Sequence, residues 1–215
     1  MIAATEEEIK GVRSLAEKKL IDHLKIDFLI TGVGMTATAY SLMKRIAVRK
    51  YQLAINIGLA GSFRKEIKIG ETVAVVSDTF ADLGAEDGDE FLSVFEIGLQ
   101  QEDHFPFLNG KLKSDAHEKY PALKALKKVK AITVNTVHGN DDSIQKTIRK
   151  FHPDIESMEG AAFFYVCMME RVPYIQLRAI SNHVERRNRS NWNIEVAIKS
   201  LNEAVTKLLN ELKED

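Results

Sequence analysis

Short, nearly continuous apolar runs alternate with segments of helical length along this 215-residue chain, and that alternation limits the fold more than any other feature. Residues 26–31 (IDFLIT) predict a short buried strand stopped by Gly32-Val33-Gly34, and residues 35–50 predict a helix. Further buried strands are expected at 53–59 (LAINIGL), 71–77 (ETVAVVS), 131–136 (AITVNT) and 174–180 (YIQLRAI), the last entered from Pro173. Residues 160–171 (GAAFFYVCMMER) are apolar nearly all round, as a buried helix would be. Near the C-terminus Ile194, Ile198, Leu201, Val205, Leu208 and Leu212 recur at helical spacing, which predicts an amphipathic helix docked by one stripe. Buried strands interleaved with helices make a layered α/β domain, here a single one over residues 1–215. The stretch from Asp78 to about Ser114 breaks the pattern and reads as one large irregular excursion, too polar for core.

Charge and composition exclude several functions. Lys and Arg total 30 against 31 Asp and Glu, a formal charge of -1, whereas nucleic-acid binding draws its affinity from excess cationic side chains. The one cysteine, Cys167, closes no internal disulfide. No secretory leader is evident, and no apolar run reaches the roughly 18 residues that span a bilayer, so a cytoplasmic protein without membrane or nucleic-acid partners is expected. His23, His104, His117, His138, His152 and His183 lack metal-ligand spacing, so neither metal nor organic cofactor is expected. The acidic cluster Asp82, Glu86, Asp87, Asp89 and Glu90 lacks the spacing of a calcium loop and reads as a solvated flap.

Gly32-Val33-Gly34-Met35-Thr36-Ala37 fits G-x-G-x-x-A after a strand and before a helix, the pattern of dinucleotide-binding folds. Such folds need a carboxylate about 20 residues on, to hold ribose hydroxyls. Residues 28–65 contain no Asp or Glu, so a dinucleotide site is not expected. Two readings stand for the turn: a tight strand-to-helix connection, or a backbone cradle for an oxygen-rich ligand group.

Four segments together resemble the purine nucleoside phosphorylase and nucleosidase family: residues 3–9 (AATEEEI), 56–61 (NIGLAG), 156–162 (ESMEGAA) and 178–182 (RAISN). Within it the chain is most similar to the futalosine-cleaving branch, through residues 82–88 (DLGAEDG), 105–107 (FPF), 133–137 (TVNTV) and 186–189 (RRNR) before Trp192. The resemblance implies a three-layer α/β/α sandwich around a mixed central sheet, and a homodimer or higher homo-oligomer. It also implies hydrolysis of a purine N-glycosidic bond through an oxocarbenium-like ribose. Glu8 matches the family's general base for water, although Thr5-Glu6-Glu7-Glu8 equally reads as a capping box. Glu159 matches the glutamate that accepts from the ribose 2′- and 3′-hydroxyls, with Met158 packed on the sugar.

Asn182 stands where adenine-cleaving relatives carry aspartic acid. A carboxamide offers a donor and an acceptor but no acidic proton, which suits a 6-oxopurine such as hypoxanthine. Gly61, Asn135, Phe91 and Arg187 complete the substrate-binding set that the resemblance implies, Phe91 as an aromatic that reaches a neighbouring subunit's site. Leu59 replaces the serine of adenine nucleosidases. The same resemblance leaves open a methylthioadenosine, adenosylhomocysteine or aminodeoxyfutalosine nucleosidase and a nucleoside phosphorylase. A non-catalytic nucleoside binder is the alternative of another class.

Overall fold

The computed structural model describes residues 1–18 and 24–212; His23 lies outside them. In chain order the elements are β1 (Ile2–Ala3), α1 (Glu6–Glu17), β2 (Leu29–Ile30), α2 (Met35–Ile46), β3 (Ala54–Ser62) and β4 (Thr72–Asp78). A hairpin of β5 (Gly84–Asp87) and β6 (Glu90–Ser93) follows, then β7 (Leu112–Lys113), α3 (Pro121–Lys124), β8 (Lys127–Thr133) and α4 (Asp141–Phe151). The chain ends with β9 (Ile155–Ser157), α5 (Gly160–Met169), β10 (Tyr174–His183) and α6 (Ile194–Glu211).

The central sheet is mixed. β3 runs parallel to β1 and β10 and antiparallel to β9, while β10 is antiparallel to β4. β4 is parallel to β8, and β8 to β9, so five strands close in a ring β3–β10–β4–β8–β9. β1 and β2 extend the sheet from β3. Alternation along the strands divides the side chains between two layers. Ile55, Ile57, Ile175, Leu177 and Ala179 pack under α1 and α6, with Ile9, Val12, Leu201, Val205 and Leu208. Val73, Val75, Val129 and Ile180 face α2 and α5, with Leu42, Phe163, Phe164 and Cys167. Burying each such side chain contributes roughly 1.5–3 kcal/mol, so the two layers hold the ring from opposite sides.

The long excursion departs from its sequence expectation. It holds the β5–β6 hairpin and β7, and Asp78 and Leu112 are fully buried. The amphipathic stripe of α6 begins at Ala197, because Ile194 sits at the helix mouth and is 45% exposed. α4 escapes the apolar pattern because it buries only Ile144 and Thr147 and is entered by an Asn140 cap. Among the described residues no helix is long and apolar enough to cross a membrane.

Candidate active site

Glu8 is the third residue of α1, and its carboxylate has two tasks. Oε2 accepts from the Thr5 amide and hydroxyl, both at 3.0 Å, which closes the capping box. Oε1 accepts the Leu59 amide at 3.0 Å, tying the helix start to β3. Beside it, a Cβ added at Gly58 would lie 3.0 Å from Glu8 Oε1 and 3.1 Å from Arg178 Nη1. Glu8 and Arg178 therefore converge on Gly58, one of two β3 positions without a side chain.

Glu159 reaches the same cluster from the N-terminus of α5, and its Oε1 accepts the Gly34 amide at 2.9 Å. Gly32 and Gly34 hold φ of 84° and 93°, a region that L side chains rarely adopt. The glycine turn thus serves as a backbone donor to a carboxylate of its own chain. Burial pushes the Glu159 carboxyl above the usual carboxylate range, against the pull of Arg178 and of the Gly34 and Met158 amides; the negative charge of Glu8 adds to the rise. Met158, half-buried, directly precedes it.

Arg178 is 1% exposed and sits between these carboxylates and Asp78. Burial draws its guanidinium down from the usual range, while Glu159, Glu8 and Asp78 hold it up. Nη1 donates to the Leu177 carbonyl at 3.3 Å, and Nε has no protein partner. A buried cation with an unused donor, next to two carboxylates that each keep acceptor capacity, is suited to hold a small polar molecule.

Asn182 follows a break in the β10–β3 register between Ile180 and itself, which places it opposite Gly61. Ser181 Oγ donates to its Oδ1 at 2.9 Å and its Nδ2 donates to the His183 carbonyl at 3.0 Å, fixing the amide's orientation. A Cβ at Gly61 would lie 3.3 Å from Asn182 Nδ2, so glycine leaves that amide its room. Asn182 lines a cavity with Gly61, His138, Glu156, Arg187 and Trp192. Leu59, which binds Glu8, precedes Gly61 by two residues, roughly 7 Å along the strand. Arg187 lies over the Trp192 ring at 5.5 Å. Asn135 is exposed, its amide bonded to Asp82. Phe91 packs on Phe151 of its own chain at 6.3 Å and lines a separate groove over α4. The fold thus brings Glu8, Glu159 and Arg178 into one cluster and Asn182, Gly61 and Arg187 into the cavity beside Gly61; Asn135 and Phe91 stand on the excursion side.

Residues 21–214 match the phosphorylase superfamily model. The chain belongs to the phosphorylase superfamily. It is 33% identical over 189 residues to the futalosine hydrolase of Streptomyces coelicolor, covering 85% of this chain and 77% of that one. The futalosine hydrolase of Thermus thermophilus is 30% identical over 190 residues, 86% of this chain and 81% of its own. The native structure of Helicobacter pylori futalosine hydrolase superposes with a TM-score of 0.79 at 16% identity, over 98% of this chain and 96% of that one, a likeness of fold.

In this phosphorylase-superfamily member two groups receive no role from motif reading, although the motif segments include Glu156 and Arg178. Arg178 and Gln176 look like interruptions of an apolar strand, yet their alternate spacing puts both on one buried face, that of Ile180 and the α2 and α5 layer. Glu156 is 3% exposed, and its carboxylate accepts from His138 Nδ1 at 2.6 Å and from the His138 amide at 3.1 Å. Thr147 Oγ1 meets His138 Nε2 at 2.8 Å. His138 and Glu156 line the Asn182 cavity, and Thr147 holds the far side of the His138 ring.

Proposed function

We propose that this protein hydrolyses the N-glycosidic bond of futalosine, releasing hypoxanthine and dehypoxanthine futalosine. The observation that carries the reading is the convergence of Glu8 and the under-bonded Arg178 on Gly58, with Glu159 coupled electrostatically to both, three residues along β3 from Gly61, which faces Asn182. In the proposed reaction Arg178 and Glu8 hold the water, and Glu8 takes its proton as oxygen attacks C1′. Glu159 accepts from the ribose hydroxyls and steadies the oxocarbenium-like sugar. The C1′–N9 bond breaks, its electron pair leaves with the purine, and one proton ends on the base. Asn182 donates to N7 and O6 of the departing 6-oxopurine through its remaining Nδ2 hydrogen. A positioned general base contributes about 10²–10⁴-fold, and the buried carboxylates repel phosphate as a competing nucleophile.

The substrate class is supported by the two futalosine hydrolases of 30–33% identity and by Asn182 in place of an acid. Arg187, at the mouth of the same cavity, is assigned to the 5′ substituent, and Met158, Gly61, Asn135 and Phe91 remain assigned to substrate binding. We assign the working protein as a homo-oligomer. Its support is an exposed apolar face on α2 and α5, where Tyr40 is 68% and Met169 46% exposed, a patch that a second copy would cover. The buried, unpaired thiol of Cys167 suits the reducing cytoplasm.

The test is release of free base by purified protein from futalosine, inosine and methylthioadenosine. Hypoxanthine from futalosine at a rate indifferent to phosphate is expected. Faster cleavage of methylthioadenosine, or silence on all three, overturns the reading.

A further inference from the structure

Asp78, at the end of β4, is fully buried and touches no cavity of the site, yet it makes more polar contacts than structural filler needs. Its Oδ1 accepts from the Thr133 hydroxyl at 2.8 Å and from the Thr79 amide at 2.9 Å. Its Oδ2 accepts from Gln176 Nε2 at 3.1 Å. Thr133 Oγ1 in turn accepts the amide of Ala161 at 2.7 Å. Ala161 is two residues after Glu159, in the first turn of α5. A Cβ at Gly160 would overlap Asp78 Oδ2 and come within 2.5 Å of Gln176 Nε2, so the helix start rests directly on this network.

We propose that Asp78 is a positioning residue that sets the Glu159 carboxylate through Thr133 and the first turn of α5. A hydroxyl has one hydrogen; because Asp78 takes it, the oxygen lone pairs of Thr133 are turned to the Ala161 amide. The backbone after Glu159 is thereby pinned to β8, and the Glu159 side chain is pinned at its other end by the Gly34 amide. With both ends held, the carboxylate has one orientation to offer a sugar hydroxyl. Asp78 reaches Glu159 through these hydrogen bonds, beside the pull of its charge on Arg178. An asparagine there would preserve them, since Gln176 Oε1 is buried without a partner and could accept from the new amide after the Gln176 side chain flips.

The inference rests on the assignment of Glu159 to the ribose, and the test separates the two. Futalosine hydrolysis is measured for wild type, Thr133→Val, Asp78→Ala and Asp78→Asn, the first three also in a Glu159→Gln background. Hydrogen exchange of the segment 157–164 is followed in each protein. T133V and D78A should lower kcat/KM about tenfold, a fraction of an ångström of misplacement, and have little further effect once Glu159 is already replaced. D78N should stay close to wild type. Exchange at 157–164 should quicken in T133V and D78A but not in D78N. Equal losses in both backgrounds, a D78N as impaired as D78A, or unchanged exchange in T133V each overturn the proposal. A wild-type protein that releases no hypoxanthine refutes the functional reading instead, and the exchange comparison then decides the clamp alone.

Discussion

Replacing Glu8 by glutamine separates the two tasks of its carboxylate. Three donors point at it: the Thr5 amide and hydroxyl at Oε2 and the Leu59 amide at Oε1. A glutamine can present its oxygen to only one end, so its NH2 group meets either the Thr5 or the Leu59 amide. One half-buried donor is left without an acceptor, which costs about 1–3 kcal/mol. E8Q should therefore unfold at lower urea by that amount, while kcat for hypoxanthine release falls 10²–10⁴-fold through loss of the base. Thr5→Ala is the matched control. It removes the cap hydroxyl for about 1 kcal/mol but leaves Glu8 ionisable and bonded to Leu59, so its kcat should stay within about threefold of wild type. Both are read by urea unfolding and by base release at saturating futalosine. The reasoning is refuted if E8Q keeps more than a tenth of wild-type kcat, or if T5A loses as much activity as E8Q.

Other outcomes follow from the same geometry. Gly58→Ala places a methyl 3.0 Å from Glu8 Oε1 and 3.1 Å from Arg178 Nη1, so kcat should fall about 10–100-fold with native circular dichroism retained. Asn182→Asp puts a carboxylate oxygen against the His183 carbonyl, which favours the protonated acid; the ratio of adenine to hypoxanthine release should rise at least tenfold, measured with paired nucleosides. Burial pushes the Asp78 carboxyl from 3.8 up to about 6. The native state then binds the proton more tightly than the unfolded one, so its contribution is full below about pH 4 and lost as pH rises to 6, roughly 3 kcal/mol in all. Urea titrations from pH 4 to 7 should show that decline in wild type and not in D78N.

Much of the fold is legible in the sequence because strands buried on both faces carry nearly continuous apolar runs, as LAINIGL and YIQLRAI do. The closure of five strands into a ring is not, because it depends on pairings between β3 and β9 and between β10 and β4 that are distant in sequence. The polar interruptions share one buried face: Asn56, Gln176 and Arg178 alternate with apolar neighbours and lie on the same side of the sheet. Two polar residues at i and i+2 in an otherwise apolar strand were the available signal. Glu8 and Glu159 are legible through their motifs, yet Glu8 is a cap and a β3 tether at the same time, which residue types alone cannot separate. Asp78 was hidden because it ends an ordinary β-branched strand and begins a polar excursion, so only its depth distinguishes it.

The most direct measurement is hydrolysis of futalosine in H₂¹⁸O buffered with phosphate, followed by mass analysis of the sugar product. One ¹⁸O atom on the dehypoxanthine sugar, with free hypoxanthine and no sugar phosphate, is the expected result for water activated by Glu8. A phosphorylated sugar free of ¹⁸O, or intact futalosine, would contradict it.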